Sequence, residues 1–257
     1  MLKHRVIPCL LLQDDGLVKT VQFKSPKYVG DPINAIRIFN EKEVDEILVL
    51  DITASKQGRE PNYRLIEQFA TECFCPLTYG GGIRNAAQAQ TLFSVGIEKI
   101  CIQSAWRHDL KIVEELAGAF GSQSIVASLD IRKNLFRKYQ LFDSSTGKAD
   151  KRDWLLTLKS LIDAGAGEIF INCVDKDGTL SGPDLQLIEQ SSQIATVPLI
   201  ICGGISSLED IKIAIEYGAD AIAAGAFFVY HGPHRAVLIT YPRYEDLEAL
   251  LQSKPGP

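Results

Sequence analysis

Pro76-Leu77-Thr78-Tyr79-Gly80-Gly81-Gly82-Ile83 is an apolar, strand-like run that ends on glycines and hands over to a polar, helix-opening segment. The same pattern returns 122 residues later in Pro198-Leu199-Ile200-Ile201-Cys202-Gly203-Gly204-Ile205. Upstream, Asp45-Glu46-Ile47 answers Gly167-Glu168-Ile169; downstream, Gly96-Ile97-Glu98-Lys99-Ile100 answers Gly218-Ala219-Asp220-Ala221-Ile222, all at the same offset. Self-similarity at one fixed spacing marks a duplicated unit, here half of a larger fold.

Outward from this pair, short apolar runs alternate with helix-period segments, the pattern of βα units and a parallel sheet. Strands are expected at residues 5–12, 46–52, 76–81, 99–104, 124–130, 168–174, 198–203 and 221–228. Helices are expected at 31–44, 62–72, 85–95, 109–120, 153–164, 184–194 and 208–217, several opened by an Asp, Asn or Ser suited to N-capping, with an eighth at 244–252. This is an α/β chain, and the count fits a (β/α)8 TIM barrel with a two-fold half-barrel repeat. Such barrels fill about 250 residues as one unit, so 1–257 reads as a single domain. Residues 133–150 break the rhythm with an alternating stretch and a Ser144-Ser145-Thr146-Gly147 turn, expected as a hairpin inserted after strand five. The C-terminal segment 229–257 is atypical of a barrel end.

A net charge of −5 gives no overall basic field, so no nucleic-acid partner is expected and any affinity for phosphates must be local. The apolar run 6–12 is too short for a signal core or a spanning helix, which leads to the expectation of a cytoplasmic protein without a membrane segment. Cys9, Cys101, Cys173 and Cys202 sit singly in apolar runs, and Cys73-Phe74-Cys75 lacks a second pair at zinc-site spacing. Neither a metal nor a cofactor is expected. His231 and His234 are separated by Gly-Pro, which argues against a helix face that would converge them.

A Gly-Gly pair leaving a strand lets backbone N–H groups approach an anion, and the following helix adds its partial positive charge. Gly81-Gly82 with Gln103-Ser104 would make one phosphate site; Gly203-Gly204 with Gly225-Ala226 and Asp177-Gly178 would make a second. Two such sites at symmetric positions suit a ligand phosphorylated at both ends. The competing reading is that these glycines only permit tight strand-to-helix turns.

Leu50-Asp51-Ile52-Thr53-Ala54-Ser55, Gly80-Gly81-Gly82-Ile83, Asp175-Lys176-Asp177-Gly178-Thr179 and Gly203-Gly204 together resemble the cyclase subunit of imidazole glycerol phosphate synthase, the HisF family. The resemblance implies a separate HisH-like glutaminase partner in a heterodimer. Ammonia would travel along the barrel axis to a cyclase site at the C-terminal face. It also implies a charged gate at the N-terminal face, on Arg5, Glu46, Lys99 and Glu168. Lys19 and Asp51 are implied as further site residues. An ordinary salt-bridged barrel bottom is the alternative for the four charges.

The family's chemistry is implied to need two aspartates acting as acid and base, and carboxylates across a barrel mouth can be held at different pKa values. Strand five supplies Asp130; at the matching place on strand one stands Leu11, which cannot transfer a proton. Asp14 or Asp15 could replace it only if the loop doubles back, because they lie roughly 10 Å further along an extended chain. Leu11 and the tail resemble a branch of the family that supplies ammonia for amidino groups on surface-polysaccharide sugars, which would add a sugar-amidating enzyme as partner. Three readings follow: a HisF-like amidotransferase subunit with impaired cyclase activity, an active cyclase of histidine biosynthesis, and the sister ribotide isomerase. Leu11 favours the first; the charged gate disfavours the last.

Overall fold

The computed structural model describes residues 4–252; the outermost positions of the expected domain and tail, 1–3 and 253–257, lie outside it. In β1 (Arg5–Gln13), Val6, Leu10 and Leu12 pack outward while Ile7, Cys9 and Leu11 point into the barrel. A strand covered on both faces reads as a continuous apolar run, which explains the character of 6–12.

After β1 the chain doubles back through the antiparallel β2 (Gly16–Val21) and β3 (Lys24–Gly30) before α1 (Pro32–Glu41). Then follow β4 (Ile47–Asp51), α2 (Tyr63–Glu72), β5 (Leu77–Gly80), α3 (Ala86–Ser94), β6 (Lys99–Ile102), the short α4 (Ser104–His108) and α5 (Lys111–Phe120). The second half opens with β7 (Ile125–Lys133), which turns into β8 (Tyr139–Asp143) and β9 (Lys148–Ala149). It continues with α6 (Trp154–Asp163), β10 (Glu168–Cys173), α7 (Leu185–Ser192), β11 (Leu199–Cys202), α8 (Leu208–Glu216) and β12 (Ala221–Ala224). The chain finishes with the four-residue α9 (Ala226–Val229), the small hairpin β13 (Tyr230–His231) and β14 (Ala236–Val237), and α10 (Tyr244–Gln252).

Parallel pairing runs β1-β4-β5-β6-β7-β10-β11-β12 and returns from β12 to β1, so the eight strands close as a (β/α)8 barrel. The repeat is written in the helix starts. Asp31 and Asp153, Asn62 and Asp184, and Asn85 and Ser207 each cap a helix through a side-chain oxygen, and the members of each pair are 122 residues apart. Gly96 and Gly218 likewise share positive φ, 103° and 107°.

The structure corrects several expectations. Residues 226–228, read as strand, are helical, and Ser104 likewise opens a short helix, because Gln103 and Gly225 end their strands at the rim of the barrel. The β1–β2–β3 hairpin had no counterpart in the reading, although its twin after β7 did. Asp14 and Asp15 both take positive φ at its tip, as a two-residue hairpin turn requires, and Asp15-Gly16 with the repeat was the available signal. In the tail, His231 and His234 lie exposed on the turn of the small hairpin. All six cysteines are free, and no cluster of metal-binding side chains occurs among the described residues. No helix among them is long and apolar enough to cross a membrane.

Candidate active site

The barrel register fixes what stands opposite what at the C-terminal mouth. Leu11 pairs with Leu50 and Asp130 pairs with Asn172, while Leu50 and Asn172 are 122 residues apart in the repeat. Leu11 is therefore the structural counterpart of Asp130. Both line one cavity together with Asp51, Gly81, Gly82, Gln103, Ser104, Asp143 and Asn172. Asp14 and Asp15 ride on the exposed hairpin tip, where Asp15 accepts a bond from Asn62, and neither reaches this cavity.

Burial raises the Asp130 carboxyl to about 6, against the opposing pull of Gln103, Ser144 and the Arg107 guanidinium. The folded-state pKa lies above the unfolded one, so the native chain binds the extra proton. Asp130 consequently costs stability as pH rises from the unfolded carboxylate range through about 6. Asp130→Asn is expected to raise unfolding free energy by about 3 kcal/mol above that window and by almost nothing at acid pH, read from urea titrations at both ends.

Asp143 arrives from the inserted hairpin. Partial burial pushes its carboxyl up, but bonds from Ser145 and Thr146 outweigh that and hold it below the usual carboxylate range. Arg107 anchors the hairpin through Asp150 (2.6 Å) and the Phe142 carbonyl (2.6 Å). Neither Asp143 nor Arg107 was identified from the sequence. The interrupted rhythm at 133–150 pointed to the segment without showing that it folds over the mouth.

Asp51 accepts from Thr53 and Ala54 and so shapes the loop after β4. Gly81 and Gly82 take φ of 125° and 74°, and a Cβ on either would meet the Asp51 or Arg59 carbonyl within 2.7 Å. The Gly82 N–H donates to Ser55 Oγ, which lies 3.0 Å from Ser104 Oγ. In the second half, a Cβ on Gly203 or Gly204 would strike the Cys173 or Gly182 carbonyl, and one on Gly225 would strike the Lys19 ammonium. Close backbone packing thus demands these glycines with or without an anion.

Lys19 is buried, which lowers its pKa, and donates to the Cys9 carbonyl at 2.5 Å. Asp177 accepts from Thr20 Oγ1 and the Phe23 N–H, so its carboxyl is committed to the β2–β3 hairpin. Gly178, at φ 66°, packs against the Thr20 carbonyl, and Ala226 opens α9. The second group of glycines, with Ala226, Asp177 and Gly178, falls outside the lining of the cavity that holds Asp130.

At the opposite end, four charges from the beginnings of β1, β6 and β10 and the residue before β4 form a closed ring. Glu46 reaches Arg5 (2.5 Å) and Lys99 (2.9 Å); Glu168 reaches Arg5 (3.1 Å) and Lys99 (3.0 Å). Thr78 Oγ1 donates to the remaining Glu46 oxygen at 2.7 Å. Two cations and two anions neutralise one another across the barrel axis. Between ring and mouth the interior is apolar, with Leu48, Val126, Phe170, Ile200, Ala221 and Ala223 among its lining.

The family model described as "Histidine biosynthesis protein" matches residues 5–234. A provisionally named imidazole glycerol phosphate synthase subunit, hisF2, of Pseudomonas aeruginosa is 51% identical over 249 residues, covering 96% of this chain and 99% of that protein. A provisionally named HisF subunit of Leptospira interrogans is 48% identical over 252 residues, covering 97% and 99%. The imidazole glycerol phosphate synthase subunit HisF of Dictyoglomus thermophilum is 36% identical over 232 residues, covering 89% and 90%.

Proposed function

Because this chain belongs to the histidine biosynthesis protein family, as a HisF-like imidazole glycerol phosphate synthase subunit, we propose that it is the single-domain barrel half of a glutamine amidotransferase whose own cyclase activity is impaired. In this reading a HisH-like glutaminase docks on the ring end. Ammonia passes the Arg5–Glu46–Lys99–Glu168 gate, follows the apolar interior and emerges at the mouth. The two glycine groups hold a bis-phosphorylated ligand there, and the nitrogen goes to an acceptor on a second, sugar-amidating enzyme.

The observation that carries the reading is Leu11 in the cavity, at the place equivalent to Asp130 and beyond the reach of Asp14 and Asp15. Docking at the ring end is supported by Phe74, 86% exposed just before β5 and on the same end as the gate. A large apolar ring left in water beside a barrel base is suited to burial by a partner. Mixed with its cognate HisH-type glutaminase, the chain is expected to form a one-to-one complex and raise glutamine hydrolysis above the rate of the glutaminase alone. Absence of both complex and stimulation would remove the amidotransferase reading.

Asp143 supports a second reading. It lines the cavity as an ionised carboxylate while Asp130 is held near 6, and two carboxyls with separated pKa values are what acid–base chemistry uses. In that case the chain is an active cyclase whose second carboxylate comes from the hairpin.

A further inference from the structure

Cys73 and Cys75 flank Phe74 in the loop between α2 and β5, and their sulfurs lie 3.5 Å apart. Both thiols are partly exposed, whereas Cys9, Cys101, Cys173 and Cys202 are buried. Residues two apart cannot have Cα atoms further than about 7 Å from each other, which is close to the upper reach of a disulfide. The chain bends at Cys75, and the two side chains already meet. To bond, the sulfurs must close by about 1.5 Å, within the reach of side-chain rotation and a small adjustment of the loop.

This loop belongs to the base of the barrel. The Pro76 carbonyl, next to Cys75, accepts from the Ile47 N–H, and Cys75 lies close enough to the gate residue Glu46 to feel its charge. Phe74 is tied down through its backbone, its N–H donating to Asn40 Oδ1 near the end of α1 at 2.8 Å, while its ring stands in water. Cys73 is the thiol suited to attack. A hydrogen bond from Cys75 holds it below the usual thiol range against the effect of burial, and the same contact holds Cys75 above that range.

We propose that Cys73 and Cys75 form a reversible disulfide that re-aims Phe74 and thereby weakens the complex with the glutaminase. The proposal rests on the reading that the glutaminase docks at the ring end. A small disulfide such as oxidised glutathione is the oxidant. The Cys73 thiolate attacks one of its sulfurs and the first glutathione leaves; Cys75 then gives up its proton and attacks Cys73 Sγ, and the second glutathione leaves. One S–S bond breaks and one forms, and the two electrons and two protons lost by the protein thiols end on the two glutathiones. The ring so closed runs through the Phe74 backbone, so the bond moves the one apolar side chain that the docking face presents there. A bond across so short a loop is strained and readily reduced again, as a switch requires. Binding and oxidation oppose each other reciprocally, so the glutaminase protects the dithiol by the same factor as the disulfide weakens the glutaminase.

The test equilibrates the chain in glutathione buffers from reduced to mostly oxidised, quenches it in acid, then unfolds, alkylates and maps it by mass spectrometry. In the oxidised buffers the peptide over 73–75 is expected to be two hydrogens lighter and blocked to alkylation, with dithiothreitol restoring it and the four buried cysteines labelled throughout. Cys75→Ser is expected to stop at a mixed disulfide between Cys73 and glutathione. Labelling of both thiols in the oxidised buffers, or glutathione carried on each sulfur of the wild type in place of the internal bond, overturns the proposal. Affinity for the cognate HisH-type glutaminase is then measured by titration calorimetry. Oxidation is expected to raise Kd by about tenfold, the worth of one displaced aromatic anchor, and to leave the affinity of the doubly substituted Cys73→Ser, Cys75→Ser chain unchanged. A disulfide with equal affinity in both states overturns the switch and leaves the docking reading intact. A disulfide with no complex in either state removes the docking reading and the regulation with it.

Discussion

Given the phosphoribulosyl formimino substrate and excess ammonium, the purified chain is expected to show no cyclase turnover above background, and Leu11→Asp is expected to create it. A positioned acid or base contributes about 10²–10⁴ in rate, so the variant should exceed the wild type by at least about 10²-fold. The geometry favours the rescue. Leu11 sits on a regular strand in register with Leu50, so a carboxyl at this position would enter the same cavity as Asp130 without any backbone change. The new carboxyl would be buried in the cavity that already holds Asp130, which raises its pKa and lowers stability, so turnover must be read per folded molecule. Product absorbance in wild type, Leu11→Asp and Asp143→Asn separates the readings. Wild-type turnover that disappears in Asp143→Asn establishes the hairpin carboxylate as the second group and returns the chain to the active cyclases.

Glu46→Gln is expected to destabilise the protein by about 3–5 kcal/mol, because it leaves Arg5 and Lys99 crowded around Glu168 alone. Glu46 is 2% exposed and engaged with Arg5, Lys99 and Thr78, so solvent does little to screen the loss. The Lys159–Asp163 pair provides the contrast. Its side chains are 61% and 60% exposed one helical turn apart, and Lys159→Ala is expected to change stability by no more than about 0.5 kcal/mol. Urea midpoints of the two variants against wild type measure both effects. Equal, small shifts would mean that the ring is solvated and does not seal the barrel base.

Much of the architecture was legible because its signals are local. Continuous apolar runs, capping residues and strand-ending glycines recur in both halves, and the barrel strands fall where that pattern places them. Asp130 and Leu11 could be compared from the repeat alone. The β1–β2–β3 hairpin was missed because an Asp-Asp tip with positive φ is a weak turn signal, and the short helix of 226–229 was missed because Ala, Phe and Val suit a strand equally well.

The sequence by itself determined the order of the eight barrel strands and of the main helices between them, the two-fold repeat, and that Leu11 stands at the place answering Asp130. Each of these is a property of a few neighbouring residues compared with their counterparts in the other half, 122 positions away for most of the repeat and 119 for Leu11 and Asp130. Only the tertiary structure decided which side chains meet. Barrel closure brings Arg5 and Glu168, 163 positions apart, into one ring. The fold of the hairpin carries Asp143 over the mouth, and β6, β7 and β10 lying side by side set Gln103 and Asn172 on either side of Asp130. These meetings depend on register, stagger and side-chain direction around a closed sheet, quantities set by all eight strands together rather than by any one segment of the chain.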